Sequence, residues 1–354
     1  MSNPLIAVTM GDAAGVGPEV IVGCWNDPAI HDLCRPVVVG HPEILRRAAA
    51  RLRVPVEVRE VAAPEQAAPT SSIVPIVRGC DDEVLSAPPS TADARCGRAA
   101  YDCLTTATDW ALAERVQAVV TAPLHKAALH AAGHRYPGHT ELLAERCGVA
   151  EFAMMLYLGP QPALRGPAGL GVVHVTLHMA LRDVFTHLTT PEISSKIELA
   201  HDVLGRLKGT MPRIAVAALN PHGGESGLFG DEETRLIAPA VAAAQVAGYD
   251  VAGPLPVDTL MCRARDGEFD GVVAMYHDQG HIALKLLGMH RAVNVTLGLP
   301  IVRTSVAHGT AFDLAWQGKA DPSSMVEAIR VAALLVERRR VGSRAFDGAD
   351  STAP

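Results

Sequence analysis

Short β-branched apolar runs, each closed by Gly, Pro or Asp, alternate along this chain with longer stretches whose apolar residues recur every three or four positions. That alternation implies an α/β fold with a mainly parallel sheet, because each strand needs a helical crossover to reach its parallel neighbour. The runs predict strands at 5–9, 36–40, 73–77, 118–121, 152–158, 171–176, 213–219, 271–276 and 292–297. Ala100, Cys103, Leu104, Ala107, Trp110 and Ala111 share one helical face, as do Met325, Ile329, Ala332, Ala333 and Val336. The Pro/Ser/Gly-rich segments 86–92 and 163–169 read as surface connections, and the small, polar tail 341–354 as disordered.

Hydrophobic residues make up 49% of the 354 residues and charged ones 19%, which excludes a disordered chain. Lys and Arg number 31 against 38 Asp and Glu, a net charge of −7, so there is no basic footprint for nucleic acid or an anionic membrane. The amino terminus lacks a basic leader and no apolar run has membrane-spanning length, so a cytoplasmic location is expected. The seven cysteines are scattered and form no C-x-x-C pair, which argues against a disulfide framework and a thiolate zinc site.

P-loop, nucleophile-elbow, H-E-x-x-H and G-x-G-x-x-G signatures are all absent. The informative residues are histidines. His178, His222 and His277 each follow a predicted strand. In a parallel sheet these carboxyl ends form one rim, where open α/β proteins bind ligands. Three imidazoles converging there would hold a metal with an open position, whereas a single loop-end histidine is more often a cap or a surface residue.

The segment Pro137-Gly-His-Thr-Glu141 opens a predicted helix and suits an anion, with Lys285 and Arg303 as cations and Asn294 as a donor; the plain alternative is a helix cap with solvated charges. Two Gly-rich turns, 10–20 and 308–315, each precede a helical stretch.

Together these motifs resemble the 4-hydroxythreonine-4-phosphate dehydrogenase family of vitamin B6 synthesis. The matching blocks are Thr9-Met-Gly-Asp-Ala-Ala-Gly-Val-Gly-Pro-Glu19, Thr121-Ala-Pro-Leu-His-Lys126, Gly138-His-Thr-Glu141, Thr176-Leu-His178 with Leu181-Arg-Asp183, Asn220-Pro-His-Gly-Gly-Glu225, Gly253-Pro-Leu-Pro-Val-Asp258, Met275-Tyr-His-Asp-Gln-Gly280, and Asn294 to Pro300 running into Arg303 and His308-Gly-Thr-Ala311. The opening block and His308 to Asp313 also resemble the wider isocitrate/isopropylmalate dehydrogenase-like group.

The resemblance implies two α/β domains with a cleft between them: 1–135 plus 300–345, and 136–299 with the metal and substrate site and the dimer interface, leaving 346–354 as a disordered tail. It implies metal ligands at His178, His222 and His277, in a site shared between the subunits of a homodimer. Substrate contacts fall on His139, Thr140, Lys285, Asn294 and Arg303, and cofactor contacts on His308, Gly309, Thr310 and Asp313. Asp258 and Lys126 are the candidates for the catalytic base.

The implied reaction is NAD- or NADP-linked oxidation of a phosphorylated 3-hydroxy acid followed by decarboxylation. It requires one divalent metal, zinc first, with magnesium, cobalt or manganese as alternatives. The first substrate reading is 4-hydroxythreonine 4-phosphate. Two departures, His281-Ile-Ala-Leu-Lys285 and Asp12-Ala-Ala-Gly15, look more like a paralogous branch acting on 4-phospho-D-threonate or 4-phospho-D-erythronate. A dihydrodiol-acid dehydrogenase is a further alternative. Outside the dehydrogenases stand a zinc hydrolase and a non-catalytic binder of metal or phosphate ligands.

Overall fold

The computed structural model describes residues 3–347. Among them are twelve strands: β1 (Leu5–Thr9), β2 (Arg35–Gly40), β3 (Glu57–Glu60), β4 (Ile73–Arg78), β5 (Ala118–Thr121), β6 (Ala153–Leu158), β7 (Leu170–His174), β8 (Ile214–Ala217), β9 (Val251–Leu255), β10 (Gly271–Ala274), β11 (Val293–Leu297) and β12 (Val302–Val306). The chain forms two compact units, one of Met1–Ala150 with Leu299–Pro354 and the other of Glu151–Gly298.

In the first unit the strand order is β3-β4-β2-β1-β5-β12, and every pairing is parallel. β1 is buried along its whole length, as an interior parallel strand covered on both faces must be. Leu5, Ala7, Val37, Val39, Val119 and Ile301 pack with Cys103 and Ala107 of the helix Ala94–Leu112. The Asp93 carboxylate caps that helix by accepting from Arg95 N at 2.9 Å. Pro18 stands in the first turn of the helix Gly17–Cys24, where its missing N–H costs nothing.

The segment 136–150 belongs to this first unit and not, as expected, to the second. Its helix His139–Cys147 buries Leu142 and Leu143 against Leu104, and Arg146 Nε donates to Asp109 at 2.8 Å, both partners in this unit.

In the second unit the order is β11-β6-β7-β10-β8-β9. β6 runs antiparallel to both β11 and β7, while β7, β10, β8 and β9 are mutually parallel. The Pro/Gly-rich segment 163–169 is the connection of the β6–β7 hairpin.

Three strands escaped the expectation. β3 buries only Val58 among four residues. β9 contains a Gly-Pro pair, ordinarily a turn signal. β12 reads Val-Arg-Thr-Ser-Val, polar at its centre yet buried throughout. The strands expected to reach 176, 219 and 276 end at His174, Ala217 and Ala274, because the residues beyond leave the ladder and carry the rim loops.

The last helix runs Ser323–Asp347, so the tail does not begin at 341; residues 348–354 lie outside those described. No helix among the described residues is long and apolar enough to cross a membrane. All seven cysteines are free thiols.

Candidate active site

β7, β10 and β8 are adjacent and parallel in the second unit, so the segments leaving their carboxyl ends share one rim. His178 lies four residues past β7, His277 three past β10 and His222 five past β8. Hydrogen bonds stitch this rim together. Thr176 Oγ1 donates to Met275 O at 2.7 Å, Gln279 Oε1 accepts from Met275 N at 2.7 Å, and Gln279 Nε2 donates to Ala218 O at 2.8 Å. The ends of all three strands are therefore held in register, a condition for placing ligands accurately.

The ring centroids of His178 and His277 are 6.0 Å apart. His277 Nδ1 is 2.6 Å from Asp278 Oδ1, so the carboxylate holds the proton there and leaves the Nε2 lone pair available to a cation, as is usual for a metal-binding imidazole. His222 is exposed on a turn of consecutive left-handed residues running to Gly227, with φ +53 at His222 itself. Strain of that kind persists only where the surroundings over-determine it. Here Glu233 does so: its carboxylate accepts from Leu219 N at 2.8 Å and Asn220 N at 2.7 Å. Burial would raise the Glu233 pKa, but these bonds outweigh it and hold the carboxyl low.

Two of the three imidazoles thus approach as ligands of one cation would. Among the described residues, no three His, Cys, Asp or Glu side chains gather closely enough to hold a metal ion. The donor chemistry fits a divalent metal, and a full coordination set needs more than this one pair.

The structure adds two histidines to this group: His174, and His281, which the sequence marked only as a departure from the family pattern. His281 Nδ1 lies 3.0 Å from His174 Nε2, and the His281 ring stacks on His277 at 3.9 Å. Burial, joined by neighbouring imidazoles, lowers both pKa values, that of His281 to about 4. The helix His277–Gly288 approaches β7 this closely because residue 280 is glycine: a Cβ there would come within 2.6 Å of His174 Nε2. The missed signal was spacing. His277 and His281 are an i,i+4 pair, and on a helix that spacing shares a face. Lys285, one turn further along the same helix, and Asn294 on β11 are partly buried. Asp258 is exposed near the start of the helix Val257–Arg265, its carboxylate accepting from Thr259 N at 2.9 Å.

In the first unit a second group forms. Arg303 on β12 is 3% exposed and donates through Nη2 to Thr121 Oγ1 at 2.6 Å. Burial pulls its pKa down to about 9, while Glu141 partly restores it. Burial, and then the charge of Arg303, holds His139 well below the ordinary imidazole value. His139 and Thr140 open the helix His139–Cys147, and Lys126 Cε lies 3.9 Å from where a Cβ on Gly138 would stand. A helix start, a neutral imidazole and a buried guanidinium make a phosphate-type cradle.

The other Gly-rich turns meet in the same unit. Val16 N donates to Thr310 O at 3.0 Å, and a Cβ on Gly15 would come within 2.9 Å of Thr310 Cβ. His308, Gly309 and Asp313 lie on this loop, and Phe312 stacks on His125 at 4.7 Å. Asp12, part of the other departure, is buried beside Cys96, and burial raises its carboxyl to about 6.

The model of the family described as pyridoxal phosphate biosynthetic protein PdxA matches residues 32–332. A D-threonate 4-phosphate dehydrogenase from Pectobacterium atrosepticum is 46% identical, covering 94% of this chain and 99% of its own. A 4-hydroxythreonine-4-phosphate dehydrogenase from Desulforapulum autotrophicum is 43% identical over 94% and 96%. The crystal structure of a 4-hydroxythreonine-4-phosphate dehydrogenase from Klebsiella pneumoniae superposes with a TM-score of 0.83 at 44% identity, covering 94% of this chain and 100% of that one. A family match over most of the length, joined to this likeness across nearly all of both chains, means that the protein belongs to the PdxA family of NAD(P)-dependent dehydrogenases, oxidoreductases acting on a CH–OH group.

Proposed function

We propose that this chain oxidises a 4-phosphorylated 3-hydroxy acid and releases CO2 from the product, with D-threonate 4-phosphate as substrate. 4-Hydroxythreonine 4-phosphate, the first reading of the sequence, becomes the second. The carrying observation is His281. It departs from the pyridoxine-type pattern, and it is packed within the imidazole cluster, bonded to His174 and stacked on His277. The departure therefore falls among the candidate ligands. The name of the Pectobacterium relative supports the same choice.

His178, His222 and His277 are the proposed holders of a divalent cation, in a set completed within a homodimer. Imidazole ligands suit zinc or cobalt better than magnesium. Bound there, the cation would lower the pKa of the substrate hydroxyl and polarise the carbonyl that replaces it. A bound NAD or NADP would supply the hydride acceptor.

The chain's own residues do the rest. Arg303, His139 and Thr140 bind the phosphate, and Lys285 and Asn294 orient the acid end. Neutral His139 can donate its ring N–H to a phosphate oxygen without adding a second charge beside Arg303. Asp258 or Lys126 takes the hydroxyl proton. The C3–H bond yields its electron pair as hydride, giving a 3-keto acid. Its bond to the carboxylate then breaks, CO2 leaves, and the electron pair remains as an enolate that takes up a proton. The cofactor is assigned to the loop of His308, Gly309, Thr310 and Asp313.

The test is nicotinamide reduction and CO2 release with D-threonate 4-phosphate, D-erythronate 4-phosphate, 4-hydroxythreonine 4-phosphate and a dihydrodiol acid, each with added zinc or cobalt. D-threonate 4-phosphate should give the highest kcat/KM. Preference for another of the four overturns the substrate choice, and absence of turnover with all four overturns the proposal.

A further inference from the structure

Glu19 is a buried carboxylate, 1% exposed, in the first turn of the helix Gly17–Cys24. Both of its oxygens are taken by backbone N–H groups 297 and 299 positions away: Oε2 accepts from Trp316 N, and Oε1 accepts from Gly318 N at 2.7 Å. A carboxylate removed from water is costly unless such bonds satisfy it, so the two donors are a condition of its place here.

The segment that it grips does not hold its shape by local preference. φ is +43 at Ala311, +61 at Trp316 and +71 at Gly318, and only the glycine adopts such values freely. Strain of this kind persists where surrounding contacts fix it. Those contacts come from residues 13–19 at two places. At the first, Val16 N donates to Thr310 O at 3.0 Å, and a Cβ on Gly15 would stand 2.9 Å from Thr310 Cβ. At the second, Glu19 holds Trp316 and Gly318, and Trp316 Nε1 donates to Ala13 O at 3.1 Å. Gln317, between the two residues that Glu19 holds, donates through Nε2 to Asp313 O. His308, Gly309 and Thr310 therefore lie at the first anchor, and Asp313 is tied to the second.

We propose that Glu19 is a positioning residue for the nicotinamide cofactor. It acts through the loop, setting the stretch from His308 to Asp313 in the conformation that NAD or NADP meets. The inference rests on the assignment of the cofactor to that loop under the proposed function. What distinguishes Glu19 is its pair of acceptors. A carboxylate offers an oxygen to each N–H, whereas an amide offers one oxygen and turns its own NH2 toward the other donor.

The test is Glu19→Gln in the full chain. Equilibrium binding of NADH or NADPH, whichever the native chain binds more tightly, is followed by nicotinamide fluorescence. Affinity should fall about tenfold, the scale of one lost hydrogen bond to a charged group. KM for the oxidised cofactor should rise alike, while kcat at saturating cofactor and KM for the hydroxy acid stay within about twofold. Hydrogen exchange across 308–318, measured without cofactor, should be faster than in the native chain. Gln317→Ala, at an exposed side chain, cuts only the tie to Asp313 and should weaken the reduced cofactor about threefold. That variant keeps the test open should Glu19→Gln fail to fold. Unchanged cofactor affinity in the folded variants, or an equal rise in KM for the hydroxy acid, overturns the proposal. A native chain that reduces the cofactor, with Glu19→Gln indistinguishable from it, would sink this inference alone. A native chain that binds neither NADH nor NADPH would sink the reading of function, and this inference with it.

Discussion

His281 Nδ1 and His174 Nε2 face each other across 3.0 Å, within reach of one hydrogen bond. Both imidazoles are buried, and burial favours their neutral forms, so one is donor and the other acceptor. The pair backs His277, on which His281 stacks.

Replacing His281 by leucine removes that bond and leaves a buried imidazole nitrogen without its partner. His281→Leu should lower kcat/KM for D-threonate 4-phosphate about tenfold relative to 4-hydroxythreonine 4-phosphate, the effect of roughly 1.4 kcal/mol of lost discrimination. Equal losses with both substrates in the nicotinamide assay would mean that His281 supports the fold and does not select.

The Asp278 carboxylate fixes the His277 tautomer from 2.6 Å. Asp278→Asn should weaken divalent-metal affinity by about 10–100-fold, the usual effect of losing such a partner. Zinc competition or the visible spectrum of the cobalt-loaded protein reads this independently of turnover. Unaltered affinity would remove His277 from the ligand set.

At Arg303 the planar fork matters as much as the charge. Arg303→Lys keeps the cation but loses bidentate recognition, so KM for the phosphorylated substrate should rise about 10–100-fold while kcat changes little. A phosphate-free analogue should show no such rise, and an equal loss with that analogue would assign Arg303 to another part of the substrate.

Asp12 makes a pH-dependent contribution to stability. Its folded pKa of about 6 lies above the ordinary value of 3.8, so the folded state favours the neutral acid. That advantage is fully present below the unfolded pKa and is lost as pH rises through about 6. At pH 7.5 the ionised group therefore costs about 1–3 kcal/mol. Asp12→Asn keeps an oxygen for the bond from Ala14 N and should recover that amount at pH 7.5 but nothing at pH 3.5. Urea unfolding at the two pH values measures the difference, and a gain independent of pH would deny that ionisation is its source.

The strand–helix alternation and the strand-end positions of His178, His222 and His277 were legible because both follow from local chemistry. β-Branched runs, turn residues and apolar periodicity act over a few residues, and right-handed parallel connections send carboxyl ends to one rim. The polar core of β12 hid a strand, since Arg303, Thr304 and Ser305 give no apolar signal although all three are buried. The helix His139–Cys147 could not be allotted to its unit without its leucine contacts to Leu104.

Periodicity could establish that His277 follows a strand. It could not establish that this strand lies between those leading to His178 and His222, or that His174 and His281 would meet behind it. Nor does any local preference account for Trp316 at φ +61. Strand order, burial of polar groups and tolerated strain all depend on contacts between residues far apart in the chain. Such contacts acquire their energy only when the whole unit packs, which is why composition and spacing stop short of them.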